Sequence, residues 1–238
     1  VIFERCKELG LTAFSTPFDE SAVDFLESFN VPCYKIASFE NTDLPLIRKV
    51  AKTGKPIILS TGMCSVAEIE DSVAAARAAG CEELILLKCT SNYPASPKDS
   101  NILTIPHMKE LFQCPTGLSD HTMGNGVAVA SVALGGTVIE KHFTLSRSEG
   151  GVDAAFSLEP EEMSALVTET RRAWEALGKV AYGVTEAEKS SKQYRRSLYI
   201  VKNLKKGDRL TKENMKIIRP GYGLPPKYYD VLLGKKII

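Results

Sequence analysis

From residue 1 to about 178, short β-branched runs alternate with longer stretches of helical periodicity. The runs at 12–15, 34–37, 56–59, 84–87, 116–118 and 137–140 predict six strands. Between them, apolar residues recur three and four apart over 21–29, 44–52, 66–79, 103–111 and 125–134, which predicts helices. A longer helix is predicted over Pro160–Leu177, with Met163, Leu166, Val167, Thr170, Trp174 and Leu177 on one face. That stripe predicts a face turned to the core.

Strand–helix alternation implies parallel strands joined by right-handed crossovers. Each predicted strand ends in polar residues, such as Ser15-Thr16, Ser60-Thr61 and Lys141-His142. That repetition predicts a (β/α)8 TIM barrel, whose chemistry gathers at the carboxyl ends of its strands. The chain opens on a helical pattern over 1–9 with no strand before it. The barrel domain, 1–180, is therefore expected to lack roughly its first two units. A polar stretch over 181–196 reads as a linker. Residues 197–238 read as a small second module with strands at 197–201 and 215–218 and a capped turn at 211–214, its C-terminus cut short, with no obvious closing strand.

Composition narrows the classes. The formal net charge of +1 argues against nucleic acid or an anionic membrane surface as the main partner. No apolar run approaches the roughly 20 residues that span a bilayer. The six cysteines include no C-x-x-C pair, so they read as reduced thiols of a cytoplasmic enzyme.

Three histidines exist, His107, His121 and His142. His121 and His142 each follow a predicted strand directly, and the two strands are consecutive. Both imidazoles should then face one mouth, either as ligands of a divalent ion or as a hydrogen-bonded structural pair. His107 falls within a helical pattern and reads as a surface or packing residue. Lys35 sits in mid-strand, where a buried ammonium requires an anion. Thr16, Ser38, Ser60 and Ser119 add hydroxyls at the same rim, so a phosphate or carboxylate site is expected there. Glu40 and Asp153 are candidates for holding sugar hydroxyls or moving protons. No Walker-type or G-x-G-x-x-G loop exists, which argues against a nucleotide.

Several segments together resemble the N-acetylneuraminate (sialic acid) synthase family. They are Ser15-Thr16-Pro17-Phe18, Tyr34-Lys35-Ile36-Ala37-Ser38-Phe39-Glu40, and Lys55-Pro56-Ile57-Ile58-Leu59-Ser60-Thr61-Gly62-Met63. They continue with Lys88-Cys89-Thr90-Ser91-Asn92-Tyr93-Pro94, Gly117-Leu118-Ser119-Asp120-His121-Thr122 and Ile139-Glu140-Lys141-His142-Phe143-Thr144. The module from Ser197 onward looks like that family's antifreeze-like (SAF) domain. Within the family, the stretch Arg147–Pro160 and the Ile218-Arg219-Pro220-Gly221-Tyr222-Gly223-Leu224 segment look most like pseudaminic acid synthases.

The resemblance implies a transferase that condenses phosphoenolpyruvate with an N-acetylated amino sugar to a nine-carbon 2-keto-3-deoxy acid. It implies that His121 and His142 hold Mn²⁺ or Mg²⁺ and serve catalysis with Glu40. It assigns Thr16, Lys35, Ser38, Ser60, Ser91 and Ser119 to phosphoenolpyruvate. Ser91 stands where one branch of the family has Asn. Tyr93 and Asp153 are assigned, with Glu40, to the open-chain sugar. Arg219 would reach the acylamino group from a neighbouring subunit of a domain-swapped homodimer. The expected sugar is a 2,4-diacetamido-2,4,6-trideoxy-hexose, since Ala154-Ala155-Phe156 suits a deoxy methyl carbon. The alternatives are N-acetylmannosamine, an unacylated aldose phosphate, or a chain that only binds sugar and phosphoenolpyruvate.

Overall fold

The computed structural model describes residues 1–238, which divide into two compact units, Val1–Gly178 and Lys179–Ile238. The first unit holds five parallel strands in sequential order: β1 Tyr34–Ile36, β2 Ile57–Ser60, β3 Leu84–Cys89, β4 Thr116–Asp120 and β5 Ile139–Lys141. The sixth predicted strand, at 12–15, is reduced to a single bridge between Ser15 and Tyr34. Its backbone reaches the sheet only through the Lys35 amide, which donates to the Ser15 carbonyl at 3.2 Å. The sheet is thus a curled half-barrel with two edges rather than a closed ring of eight.

Helices α1 Ile2–Glu8, α2 Glu20–Glu27, α3 Leu44–Ala51, α4 Val66–Ala78, α5 Thr104–Phe112, α6 Gly126–Ala133 and α7 Pro160–Leu177 accompany the strands. Their starts follow from local chemistry. Asp19 and Asp43 accept the amides of Ala22 and Leu46, and Ser65 with Glu68 forms a reciprocal capping box on α4. The outward residues Tyr34, Ile36, Ile57, Leu59, Leu84 and Leu86 pack beneath α2, α3 and α4 as the main core. Each fully buried aliphatic side chain there contributes roughly 1.5–3 kcal/mol by its removal from water. A smaller cluster joins Ile105, Leu118, Ala128, Leu158 and Leu166 beneath α5, α6 and α7.

The strand period of two then sends the alternate residues Lys35, Ser60, Cys89, Ser119 and Glu140 to the concave face, where the chemistry collects.

Helix α7 corrects one expectation. Only Leu166 of its apolar stripe is buried, while Val167 and Trp174 are each 62% exposed. Strand β5 is a three-residue edge, so it covers little of the helix. Met163, Val167, Thr170 and Trp174 of the stripe line a 680 Å³ groove that runs past Ile139 and Glu140 to Ile58 and Phe14.

In the second unit, β6 Ser197–Ile200 pairs antiparallel with β7 Met215–Ile218 around Leu198, Leu210 and Met215. The last residues pack back on this module through isolated contacts, without forming a strand. Arg209 bridges Lys236, and the Ile237 amide donates to the Asp208 carbonyl at 2.8 Å. Single bridges of this kind leave no run of alternating residues to read. No helix of the structure is long and apolar enough to cross a membrane.

Candidate active site

The concave face carries a continuous polar network. Lys35 Nζ donates to Ser60 Oγ at 2.7 Å and to its neighbouring Ile36 carbonyl at 3.1 Å. It also lies 3.6 Å from Glu140 Oε2, while Ser119 Oγ donates to Glu140 Oε1 at 2.7 Å. Lys35 is buried to 7% exposure, and burial lowers its pKa against the pull of Glu140. Glu140, half-exposed and 3.6 Å away, is the one carboxylate within pairing distance of this enclosed ammonium. The site can therefore accept an anion beside Lys35.

A second cluster adjoins the first across β2 and β3. The Gly62 amide donates to Ser38 Oγ at 3.0 Å, and a side chain on Gly62 would place its Cβ 2.2 Å from Ser91 Oγ. Glycine thus leaves a small cradle walled by the Ser38 and Ser91 hydroxyls, donors that suit phosphate or carboxylate oxygens. Cys89 lies beside it, 3.8 Å from Ser91 Oγ and 3.9 Å from His121 Nδ1. Burial alone would raise this thiol, yet hydrogen bonds from His121, Ser38 and Ser91 outweigh it and bring the pKa down to about 7.

The third cluster is aromatic. The rings of His121 and His142 stand edge to face with centroids 5.2 Å apart, and Tyr93 lies 4.2 Å from His121. Phe156 walls the far side, 5.0 Å from His142. His121 Nδ1 lies 2.9 Å from the Thr90 carbonyl, which can only accept, so that nitrogen carries the proton and Nε2 presents its lone pair. Asp153 Oδ2 lies 3.6 Å from His142 Nδ1 and faces the same nitrogen of the second ring. Burial first, then the neighbouring His121, lowers the pKa of His142 below the ordinary imidazole value. Burial acts in the same sense on His121, but the Cys89 thiol and the Thr90 carbonyl raise its pKa overall.

These two imidazoles fit a divalent ion, each with a partner on its other nitrogen. No group of three or more His, Cys, Asp and Glu side chains forms a ligand set, so substrate and water would complete the shell. Glu40 supplies an independent sign of an expected ligand. Its Oε2 is buried without a hydrogen-bond partner.

The structure therefore gathers Lys35, Ser38, Ser60, Ser91, Ser119, Tyr93, His121, His142 and Asp153 into adjoining clusters. Thr16 follows the Ser15 bridge and makes no hydrogen bond to them, and His107 is exposed on α5. Arg219 belongs to the second unit, exposed at the end of β7. Sequence reasoning overlooked Glu140 and Cys89. Counting in twos back from His142 and from His121 across the β3–β4 register would have found both.

Comparison with known proteins gives a consistent picture. A sequence model of the NeuB family matches residues 1–182, and one of the SAF domain matches 195–238. The pseudaminic acid synthase of Helicobacter pylori is 40% identical over 236 residues, covering 99% of this chain and 69% of that protein. The N,N'-diacetyllegionaminic acid synthase of Campylobacter jejuni is 39% identical over 237 residues, covering 97% of this chain and 70% of that one. The crystal structure of the N-acetylneuraminic acid synthetase from Leptospira borgpetersenii, in complex with citrate, superposes with a TM-score of 0.74. It is 35% identical and covers 81% of this chain and 67% of its own.

Proposed function

The chain belongs to the NeuB family, and from that premise we propose that it is a phosphoenolpyruvate-dependent nonulosonic acid synthase of the pseudaminic type. The observation that carries the reading is the enclosed Lys35–Ser60–Ser119–Glu140 network opening toward two ligand-competent imidazoles. An anion-binding half and a metal-binding half adjoin on one concave face, as joining phosphoenolpyruvate to an aldehyde demands.

Lys35 and the Ser38–Gly62–Ser91 cradle would hold the phosphate and carboxylate of phosphoenolpyruvate, with Ser60, Ser119 and Thr16 at the rim. His121 and His142 would hold Mn²⁺ or Mg²⁺, which when bound supplies Lewis-acid polarisation of an aldehyde oxygen. The enol carbon attacks the open-chain sugar aldehyde and a C–C bond forms. Water then adds at C2 of the former phosphoenolpyruvate, and phosphate leaves by C–O cleavage to give the 2-keto-3-deoxy acid. Glu140 stands where it can stabilise the positive charge that develops at C2. The unpartnered Glu40 oxygen is placed to accept a proton or a sugar hydroxyl, with Tyr93 and Asp153 along the sugar. Most of the catalysis asked of these side chains is positioning.

The buried Ala154 and Phe156 beside His142 give the sugar pocket an apolar wall, which favours a 2,4-diacetamido-2,4,6-trideoxy-hexose over a sugar with a terminal hydroxyl. Closure of the curled sheet into an eight-stranded barrel, a domain-swapped homodimer in which Arg219 meets the acylamino group, and a reducing cytoplasmic setting belong to the same proposal. Six free cysteines support the last of these.

The test is phosphate release from phosphoenolpyruvate with Mn²⁺ and either sugar. Turnover with the diacetamido-trideoxy sugar is expected. Turnover with N-acetylmannosamine alone would move the chain to the sialic acid branch, and turnover with neither would sink the reading.

A further inference from the structure

Directly behind the two imidazoles, on the opposite face of the same strand ends, lies a buried ion pair. Lys141 Nζ donates to Asp120 Oδ2 at 2.8 Å, and the two side chains are 3% and 1% exposed. Asp120 Oδ1 accepts the Thr122 amide at 2.9 Å, and Lys141 also donates to the Thr122 carbonyl. The two residues are direct partners across the β4–β5 ladder. Each immediately precedes one of the histidines.

Strand β5 needs such a device. It is three residues long and half-buried throughout, so hydrophobic burial specifies its register weakly. A slip of one residue would turn His142 to the outer face, because the side-chain period is two. A buried ion pair seldom adds net stability, and its best-attested use is to fix registry. At this rung a slipped register would leave a buried charge unpaired on both strands.

We propose that Asp120 and Lys141 are positioning residues that lock β4 against β5 and hold His121 and His142 at metal-binding separation. The proposal rests on the metal reading of this site, and its test keeps the two apart. The full-length double variant Asp120→Asn/Lys141→Met removes both charges, keeps their shape and retains an acceptor for the Thr122 amide. Two readouts need no turnover. One is the Mn²⁺ dissociation constant by titration calorimetry, and the other is the 5.2 Å separation of the imidazole centroids in a crystal structure.

The expected result is a melting temperature close to that of the parent, Mn²⁺ binding weakened about 10- to 100-fold, and a widened ring separation. As a control, Lys49→Met breaks the exposed Lys49–Asp24 pair and should leave Mn²⁺ binding unchanged. Unchanged Mn²⁺ affinity with unchanged ring separation in the double variant overturns the proposal, as does an equal loss in the control. If the parent binds no Mn²⁺ and His142→Ala changes nothing, the metal reading fails by itself and the ring separation alone decides the positioning role. If the double variant does not fold, Lys141→Arg, which keeps the charge but alters the geometry, decides by the same readouts.

Discussion

Gly62 shows how much of this site depends on the absence of atoms. Its backbone adopts no left-handed conformation, so an added methyl group would strain nothing in the main chain. The methyl would instead lie 2.2 Å from Ser91 Oγ and 2.7 Å from Ser38 Oγ, and both hydroxyls would have to turn away. Gly62→Ala is therefore expected to raise the KM for phosphoenolpyruvate about tenfold or more, which corresponds to roughly 1.4 kcal/mol of lost anion binding. Thermal stability should change little. Steady-state phosphate-release kinetics measure the effect, and an unchanged KM would remove Ser38 and Ser91 from the anion site. Lys35 was legible in the sequence because an ammonium in mid-strand is expensive unless an anion meets it. Glu140 was passed over because a charged residue near a strand end reads as solvated, although it stands two before His142 on the same face and meets Ser119 and Lys35 there.

At the scale of elements, α7 is the clearest case for a prediction. Pro160 opens it, and Glu159 and Glu162 cap it reciprocally. Arg147 reaches across to pair with both carboxylates. The hydrogen bonds from Arg147 and from the Glu159 amide bring the Glu162 pKa down to about 2, from an ordinary value of 4.5. A depressed carboxylate stabilises the fold fully above its unfolded-state pKa and loses that contribution as pH falls through the folded one. Glu162→Gln keeps an acceptor for the Glu159 amide but loses the charge paired with Arg147. It should thus cost about 1 kcal/mol at pH 7, the upper scale of a partly exposed ion pair. The difference between parent and variant should shrink between about pH 4.5 and about pH 2. Urea melts across that window would show it, and a gap that stays constant with pH would contradict the assignment. The extent of α7 could be read residue for residue from Pro160, its periodicity and Gly178. Its environment could not, because the same periodicity serves a core face and a groove wall alike. Strand 12–15 failed for a related reason. A β-branched run shows that a segment can extend, and only a paired neighbour makes it a strand.

At the scale of the whole molecule, the proposed domain-swapped dimer poses a question that single-residue changes leave open, namely whether Arg219 would serve its own subunit's site or its partner's. The loop after β7 is built to present that side chain. Ser197 Oγ donates to the Pro220 carbonyl at 2.7 Å and accepts the Gly223 amide at 3.0 Å, and a side chain on Gly223 would strike the Leu198 carbonyl. The loop is thus fastened to β6 while Arg219 itself stays exposed, with no ion pair in its own chain. An anchored, exposed guanidinium suits a site that another body completes. If the proposed domain-swapped dimer is correct, Arg219→Ala and His142→Ala should each be nearly inactive alone. Mixed, denatured and refolded together, they should form hybrids in which one of the two sites has both an intact barrel and an intact arginine. About half the dimers would be hybrids, so activity should return to about a quarter of the parent's, from random pairing of a two-fold dimer. If Arg219 acted within its own subunit, each hybrid would pair one arginine-less site with one histidine-less site, and mixing would restore nothing.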